Sequence, residues 1–387
     1  MIKTAKNKLN LYINRFSDTS YGYDMLFLLA VSLLAIYGTV MVFTAGYAYA
    51  AFRYGDALYF VKRQSIWFVI GISAMLSVSR ISVDLLKKHT VKMYLGTLLL
   101  LILTLAIGFV GNGAQRWISI GPITIQPSEI AKLTMAMMLA KYFASVKNAT
   151  VSNNKKAVFI SGTAIPSVIM AIPILLVMLQ HHLSCIIILG VIGLLMIVAS
   201  GADLRYIGMF CIAGLCGVSY IAFFTDYTKD RITVWLDPES YKLTGGWQTL
   251  QGLMAIGSGG IFGKGLGKGE LKYCYVSEPA NDMIFAILCE ELGLVGAAAA
   301  LSLFAFLISR GTVIGLRSES AYSRLVALGI SIKMAVQVLL NVAVVTNTIP
   351  NTGISLPFFS YGGSSLIMMF FEMGIILSIS RNAKITK

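Results

Sequence analysis

Long apolar runs separated by short polar segments dominate the pattern of residues along this chain. The first run covers about residues 25–45, and nine more are predicted at about 64–82, 91–110, 127–146, 157–178, 183–201, 204–225, 283–308, 322–346 and 364–380. A transmembrane helix needs about 20 mainly apolar residues, and these runs lack the alternation that is typical of a strand. Because lipid admits only helices or closed barrels, the pattern predicts an all-α, polytopic membrane protein with about ten transmembrane helices.

The composition agrees with a membrane protein and excludes two other classes. Of the 387 residues, 57% are hydrophobic and only 12% are charged. A soluble globular chain carries about 25% charged residues, whereas a disordered chain combines low hydrophobicity with high charge. Neither a water-soluble enzyme nor a disordered protein fits these values.

Positive charge is distributed unevenly between the two sides of the predicted bundle. More than half of the 31 Lys and Arg residues fall on the side of the N-terminus, whereas the short loops opposite hold only four, Arg53, Lys62, Arg63 and Arg116. Cytoplasmic loops of membrane proteins are enriched in Lys and Arg, so both termini are predicted to be cytoplasmic. Loop 226–282, before the eighth span, and segments 111–127 and 347–363 then face outward.

This layout predicts a single transmembrane domain over residues 24–382, including the large extracytoplasmic loop 226–282. A cytoplasmic segment, 1–23, precedes the domain, and a cytoplasmic tail, 383–387, follows it. No basic run exceeds two residues, so the net charge of +14 does not indicate nucleic-acid binding. The five cysteines and three histidines lack the spacing of a metal site, and no metal-ligating residues are predicted.

The first group of polar residues surrounds the start of the fourth predicted span. Ser128 is placed to cap this helix, with Glu129 in its first turn, where the helix dipole favours a carboxylate. Glu129 and Lys132 are three residues apart and can pair on one face. Two interpretations stay open. The pair locks two helices together, or it forms a polar wall that, with Arg116 and Trp117, faces an anionic lipid headgroup.

The outward loop 226–282 contains the second group. Segment 257–269 has seven glycines in 13 residues, and Lys264 and Lys268 lie among them. Glycine-rich backbone can approach a ligand closely and present N–H groups to a phosphate. A flexible loop explains the same composition equally well.

Asp282 ends this loop immediately before an apolar helix. A carboxylate at that position can cap the helix or act as a general base. Glu290 and Glu291 lie deeper in the same helix, where they need partners, for which Lys333 or backbone N–H groups are the candidates.

The third group, residues 350–365, is predicted to be an outward re-entrant turn. Pro and Gly interrupt it, and its hydroxyls come from Ser360, Tyr361, Ser364 and Ser365. Non-helical backbone at membrane depth is tolerated where it lines a cavity or is buried in protein. Glu372, in the last span, is a further buried carboxylate without an assigned role.

These three groups, in this order, resemble the SEDS family of cell-wall proteins, which includes FtsW, RodA and SpoVE. The matching stretches are Gln115-Arg-Trp-Ile, Gln126-Pro-Ser-Glu-Ile-Ala-Lys132, 248–267, Glu278-Pro-Ala-Asn-Asp282, 285–293 and Thr352-Gly-Ile-Ser-Leu-Pro-Phe-Phe-Ser-Tyr-Gly-Gly-Ser-Ser365. The resemblance covers about residues 24–382. Gly353-Ile-Ser-Leu-Pro and Gly265-Leu-Gly are more similar to the division and sporulation branch, FtsW and SpoVE, than to the elongation branch.

The resemblance implies a glycosyltransferase that polymerises lipid II into glycan strands outside the cytoplasmic membrane, in cell division or cell-shape control. The family's essential loop aspartate falls on Asp282, which is the candidate base. Its arginine and glutamate fall on Arg116 and Glu129. The predicted substrate-binding residues are Arg116, Trp117, Glu129, Lys132, Lys264, Lys268, Ser360 and Ser364. The implied partner is a class B penicillin-binding transpeptidase, and a divalent cation, Mg²⁺ or Mn²⁺, is an alternative to the cationic side chains.

The chain departs from the family pattern at two places. The usual Gln-Pro-Asp-Leu-Gly-Thr is Gln180-His-His-Leu-Ser-Cys185 here, so that His182 replaces an acid. The usual His-Thr-Asp-Phe is Ala280-Asn-Asp-Met283, which keeps Asp282 but changes its neighbours. A role for the missing acid is therefore in doubt.

Two other functions fit the same polar bundle. A lipid II flippase or transporter would also need polar groups inside the membrane and an outward loop. A non-catalytic scaffold for cell-wall enzymes is the third possibility. Polymer formation from lipid II without ATP distinguishes the enzyme from both.

Overall fold

A computed structural model describes residues 22–111, 114–121, 123–146, 155–202, 205, 208, 226–381 and 383. Helices make up about three quarters of this part of the chain. They are α1 Met25–Tyr54, α2 Tyr59–Ser79, α3 Val83–Ile107, α4 Pro127–Ser145, α5 Lys155–Phe159, α6 Ile165–Leu179, α7 Leu183–Ala199, α8 Asp226–Leu236, α9 Gly246–Gly259, α10 Ile284–Leu316, α11 Ala321–Val345 and α12 Gly363–Ser380, with a π-helical turn, Ile160–Ala164, joining α5 to α6.

The helices confirm a polytopic, all-α membrane protein. Nine of the ten predicted spans coincide with a helix, and the remaining one, 204–225, lies outside the described residues apart from 205 and 208. Within the described residues, six helical segments are long and apolar enough to cross a membrane, namely α1, α3, Ile160–Leu179, α10, α11 and α12, and α7 is a shorter apolar helix. The total of ten spans, the orientation of the termini and the domain limits stay predictions.

A small antiparallel sheet lies in the predicted outward segment 111–127, where no strand was predicted. Its strands, β1 Phe109–Gly111, β2 Ala114–Ile120 and β3 Ile123–Ile125, pair in the order β1-β2-β3. Phe109 pairs with Trp117, and Ile118 pairs with Ile125. The strands are too short for their alternation to stand out between two long apolar helices.

The start of α4 differs from the prediction. The helix begins at Pro127, and Gln126 occupies the N-cap position without a side-chain cap, so the predicted cap by Ser128 is wrong. Proline fits the first helical position because its missing N–H would have no partner there. Glu129 lies in the first turn as predicted.

The segment from α5 to α6 shows how neighbouring helices satisfy an irregular helical backbone. Pro173 inside α6 has no N–H to donate to the carbonyl group of Ile169. The hydroxyl of Tyr94, on α3, donates to that carbonyl oxygen at 2.6 Å. The hydroxyl of Tyr142, on α4, donates to the carbonyl oxygen of Ser161 in the π-helical turn at 2.9 Å. The two tyrosines thus fix α3 and α4 against an interrupted helix.

Candidate functional site

A cavity of about 570 Å³ lies where the predicted outward segments meet. Its walls come from α2, β2, the first turns of α4 and α7, helices α8 and α9, the residues before α10, and the chain between α11 and α12, residues 347–362, which we name the 347–362 turn. The predicted site residues that line it are Arg116, Trp117, Glu129, Lys132, Asp282 and Ser360. Lys264, Lys268 and Ser364 are not among the lining residues, whereas Ser365 is.

Asp282 contributes a half-buried carboxyl group to this cavity. Burial, reinforced by the negative charge of Glu278, raises the pKa of Asp282 to about 6, against the opposing effects of a hydrogen bond from Gln248 and the charge of Arg231. The Oδ1 atom is buried and has no hydrogen-bond partner among the described residues. A carboxyl group with such a pKa ionises close to neutral pH and can accept a proton there.

The interpretation of Asp282 as a helix cap is wrong. Helix α10 begins at Ile284, and Met283 occupies its N-cap position without a side-chain cap. A helix N-terminus would lower the pKa of a nearby carboxyl group, but the pKa of Asp282 is raised, because the effect of burial is larger. The carboxyl group faces the cavity instead.

Two of the predicted cationic residues, Arg116 and Lys132, also line the cavity. The guanidinium group of Arg116 donates from Nη2 to the carbonyl oxygen of His181 at 2.9 Å, which holds β2 to the turn between α6 and α7. Lys132 Nζ lies 2.7 Å from Glu129 Oε1, and both side chains are almost fully buried. Both residues lie on α4 and line the cavity. The interpretation as a polar wall that faces an anionic lipid headgroup stays a prediction.

The pair continues into a chain of alternating charges inside the bundle. Lys333 Nζ lies 4.0 Å from Glu129 Oε2 and 2.5 Å from Glu372 Oε1. Glu372, which had no assigned role, is therefore the partner of Lys333. The suggestion that Lys333 is the partner of Glu290 or Glu291 is wrong.

Glu290 and Glu291 bind the glycine-rich segment instead. The backbone N–H of Gly267 donates to Glu291 Oε2 at 3.0 Å, and the N–H groups of residues 270 and 271 donate to the carboxylate of Glu290. Lys264 Nζ lies 3.1 Å from Glu290, and Lys272 Nζ lies 2.7 Å from Glu291. The alternative partners proposed for these acids, backbone N–H groups, are thus the ones observed.

Three of the seven glycines of segment 257–269, Gly259, Gly263 and Gly269, allow a close approach to α10. A Cβ atom at Gly259 or Gly263 would overlap a carbonyl oxygen of α10. Helix α10 bends at Gly293, whose φ of 64° is favoured by glycine. Neither Lys264 nor Lys268 lines the cavity, and their contact with a phosphate stays a prediction.

Several cavity residues were not predicted as site residues. Arg63 stacks its guanidinium carbon 4.4 Å from the ring centre of Tyr59 and lines the cavity beside Trp67. Arg231, on α8, donates from Nη1 to the carbonyl oxygen of Asn351. The position of Arg63 at the outward end of a predicted span could have identified it as a site residue, but that position served only to predict the orientation of the termini. No sequence signal brings α8 to the 347–362 turn.

His182, which replaces the usual acid, also lines the cavity. Its Nδ1 atom lies 3.4 Å from the hydroxyl oxygen of Ser128. The cavity lining therefore holds an imidazole at the position where the family resemblance led us to expect a carboxylate.

Comparisons with known proteins agree with this architecture. The family described as "Cell cycle protein", FTSW_RODA_SPOVE, matches residues 24–385. "Probable peptidoglycan glycosyltransferase FtsW" of Geobacter sp. strain M18 is 35% identical over 93% of this chain and 97% of its own length. "Stage V sporulation protein E" of Bacillus subtilis strain 168 is 37% identical over 93% of this chain and 98% of its own length.

A solved structure described as "Structural coordination of polymerization and crosslinking by a peptidoglycan synthase complex" includes a similar chain. The two chains share 26% identity and a TM-score of 0.76, over 93% of this chain and 98% of the other. These relatives confirm the predicted enzyme class, a glycosyltransferase, and a multi-pass protein of the cytoplasmic membrane. From the family match and the relatives together, this chain belongs to the FtsW/RodA/SpoVE family, on the side of FtsW and SpoVE.

Proposed function

We propose that this protein polymerises lipid II into glycan strands at the outer face of the cytoplasmic membrane. The observation that carries the proposal is a carboxyl group, Asp282, with a pKa of about 6 in a cavity whose other walls carry Arg63, Arg116 and Lys132. Such a cavity can activate a sugar hydroxyl and stabilise a departing pyrophosphate. The names of the similar proteins, which include peptidoglycan glycosyltransferases, support this substrate class.

The reaction is a displacement at the anomeric carbon of the donor sugar. The 4-hydroxyl oxygen of the acceptor sugar forms a bond to that carbon from the face opposite the pyrophosphate. The bond between the anomeric carbon and the pyrophosphate oxygen breaks, and its electron pair leaves with that oxygen. The carboxylate of Asp282 takes the hydroxyl proton, and Arg116 and Lys132 offset the developing negative charge. Attack from the opposite face inverts the configuration.

A divalent cation, Mg²⁺ or Mn²⁺, stays part of the proposal as an alternative source of positive charge. The described residues contain no group of three or more His, Cys, Asp or Glu side chains that could hold a metal ion. Mg²⁺ keeps several waters and uses few protein carboxylates. Asp282 must stay free to take a proton and Glu129 is paired with Lys132, so Glu278 is the lining carboxylate that would hold it. When bound, it would neutralise pyrophosphate charge.

Replacing Asp282 tests the base directly. Asp282→Asn keeps the size of the side chain but cannot take a proton, so we expect normal folding, retained lipid II binding and at least about 10²-fold slower polymerisation. The assay is purified protein with labelled lipid II, without ATP, and separation of polymer by gel. In the native protein, the rate should fall below about pH 6, where the carboxyl group of Asp282 becomes protonated.

The outcomes of this assay separate the alternatives. An active Asp282→Asn variant would exclude Asp282 as the base. Movement of lipid II across the membrane without polymer would favour a flippase, and neither activity would favour a scaffold. The loss in Asp282→Ala should be similar to that in Asp282→Asn, because neither side chain can take a proton.

Labelling of native cysteines tests the proposed orientation. Cys274, in loop 226–282, is exposed, whereas Cys185 and Cys289 are buried. A membrane-impermeant maleimide should label the protein in intact cells whose outer barrier has been opened. Cys274→Ser should abolish this labelling, because the two remaining cysteines, Cys211 and Cys216, fall in the predicted span 204–225, outside the described residues. Labelling of Cys274 only after membrane permeabilisation would reverse the topology and place both termini outside.

The proposed partner is a class B penicillin-binding transpeptidase. The similar solved structure is described as a synthase complex that coordinates polymerisation with crosslinking, which supports a crosslinking partner for this chain. Co-purification from detergent with such a transpeptidase is the corresponding test.

A further inference from the structure

Three consecutive backbone carbonyl groups end at the proposed base, and each accepts a hydrogen bond from outside its own segment. The N–H of Tyr361 donates to the carbonyl oxygen of Ala280 at 2.8 Å. The hydroxyl of Ser360 donates to the carbonyl oxygen of Asn281 at 2.7 Å. The side-chain amide of Asn341, on α11, donates from Nδ2 to the backbone carbonyl oxygen of Asp282 at 3.0 Å. Residues 280–282 are thereby fixed just before the helix that follows.

Asn341 connects the base to the 347–362 turn as well. Its Nδ2 atom also donates to the carbonyl oxygen of Ile354 at 2.6 Å. The side chain of Asn341 is fully buried, so water cannot replace these bonds. Ser360 acts in the same way from the turn, because its oxygen also accepts the N–H of Leu356 at 2.7 Å. Two side chains thus tie both segments together.

We infer that Asn341 is a positioning residue for Asp282, and that Ser360 acts with it rather than only binding substrate. The inference rests on the proposed function, because it assumes that Asp282 is the base. A carboxylate contributes to catalysis only if it is held at the correct distance from the acceptor hydroxyl, and a displacement of about 1 Å can cost about 10²-fold in rate. Asn341 binds the backbone of Asp282 but is not among the residues that line the cavity.

The pKa of Asp282 depends on the groups around its carboxyl group, so the pH dependence of the rate reports whether that group has moved. The groups that act on its carboxyl group are Glu278 from its own loop, Gln248 from α9 and Arg231 from α8. Burial is the largest cause of its raised pKa. If residues 280–282 lose their tether, the carboxyl group gains contact with water, and its pKa falls towards the ordinary value of about 3.9. The acid limb of the rate profile then moves to lower pH.

The test compares Asn341→Leu, which is similar in size but cannot donate, with the native protein. We expect kcat for polymerisation to fall about 10- to 100-fold, KM for lipid II to change less than about twofold because no cavity-lining residue is altered, and the acid limb to move down by about one pH unit or more. The matched control is Ser331→Ala, a buried polar change on the same helix. It should leave kcat and the acid limb unchanged.

Each outcome is decisive for one of the two proposals. A lower melting temperature with native kcat per folded molecule and a native acid limb would show that Asn341 has only a structural role. If Asn341→Leu does not fold, Ser360→Ala, which removes the bond to Asn281, is measured in the same way, and a native acid limb there overturns the inference. An active Asp282→Asn variant would instead exclude the base itself, whatever Asn341 does.

Discussion

The glycine-rich segment 257–269 and the 347–362 turn both lie in predicted outward segments and contain glycine, but they have different surroundings. Both contain residues that were predicted to bind the substrate. In the structure, the N–H of Gly267 in the first segment donates to the carboxylate of Glu291, and the N–H groups of residues 270 and 271, just after it, donate to that of Glu290. The second binds the carbonyl groups before Asp282 and lines the cavity. Glycine permits a close approach, but the group that lies opposite decides whether the approach is structural or functional.

The distinction follows from what each segment must satisfy. Buried carboxylates without donors would be very costly, so Glu290 and Glu291 occupy the N–H groups and lysines of the first segment. The 347–362 turn instead donates to the neutral carbonyl groups of Ala280 and Asn281 and accepts a hydrogen bond from Arg231, and part of its surface lines the cavity. At Gly353, a Cβ atom would lie 3.7 Å from Asp282 Oδ2, which places this turn directly beside the base.

The largest effect is expected at the buried pair Glu129 and Lys132, which lines the cavity as the 347–362 turn does. In Lys132→Ala, the remaining ion-pair partner of Glu129 among the described residues is Lys333, at 4.0 Å. The free energy of unfolding should fall by about 3–5 kcal/mol, and polymerisation should be lost as well. The double variant Lys132→Ala with Glu129→Gln should be more stable than Lys132→Ala alone. Thermal unfolding of the single and double variants measures this, and full additivity would show that the residues are not coupled.

The equivalent pair beneath the glycine-rich segment should affect stability alone. Lys272 and Glu291 are almost fully buried and lie 2.7 Å apart, so Lys272→Met should cost about 3–5 kcal/mol. Glu291→Gln added to it should restore part of that loss, because the side chain still accepts the N–H of Gly267. Polymerisation per folded molecule should stay native. A fall in kcat of the folded variant would mean that this segment contributes to catalysis after all.

The smallest effect on catalysis is expected for the two lysines of the glycine-rich segment. Lys264→Gln and Lys268→Gln should each polymerise lipid II, per folded molecule, within about twofold of the native rate, because neither lines the cavity. Lys268 is exposed, where charges are screened by water and salt, whereas Lys264 is partly buried and pairs with Glu290. Arg116→Gln, on the cavity wall, is the matched comparison and should lose about 10²-fold or more. Equal losses of activity in all three variants would show that the glycine-rich segment takes part in substrate binding.

The membrane class, the positions of most helices and the family could be predicted from the sequence. Apolar runs of sufficient length permit little except helices in lipid, so nine of the ten predicted spans coincide with a helix of the structure. The motif stretches identified Arg116, Glu129, Lys132, Asp282 and Ser360, all of which line one cavity. These predictions depend on local pattern and on motif identity, which a single chain displays directly.

Only the tertiary structure decided which polar groups pair with each other. Lys333 is bonded to Glu372 rather than to Glu290 or Glu291, although all of these residues lie in apolar helices. Asn341 reaches Asp282 across 59 residues of sequence, and no local pattern encodes that contact. Partner choice inside a membrane depends on which helix faces meet, because every buried charge or amide must find a donor or acceptor where the packing brings one.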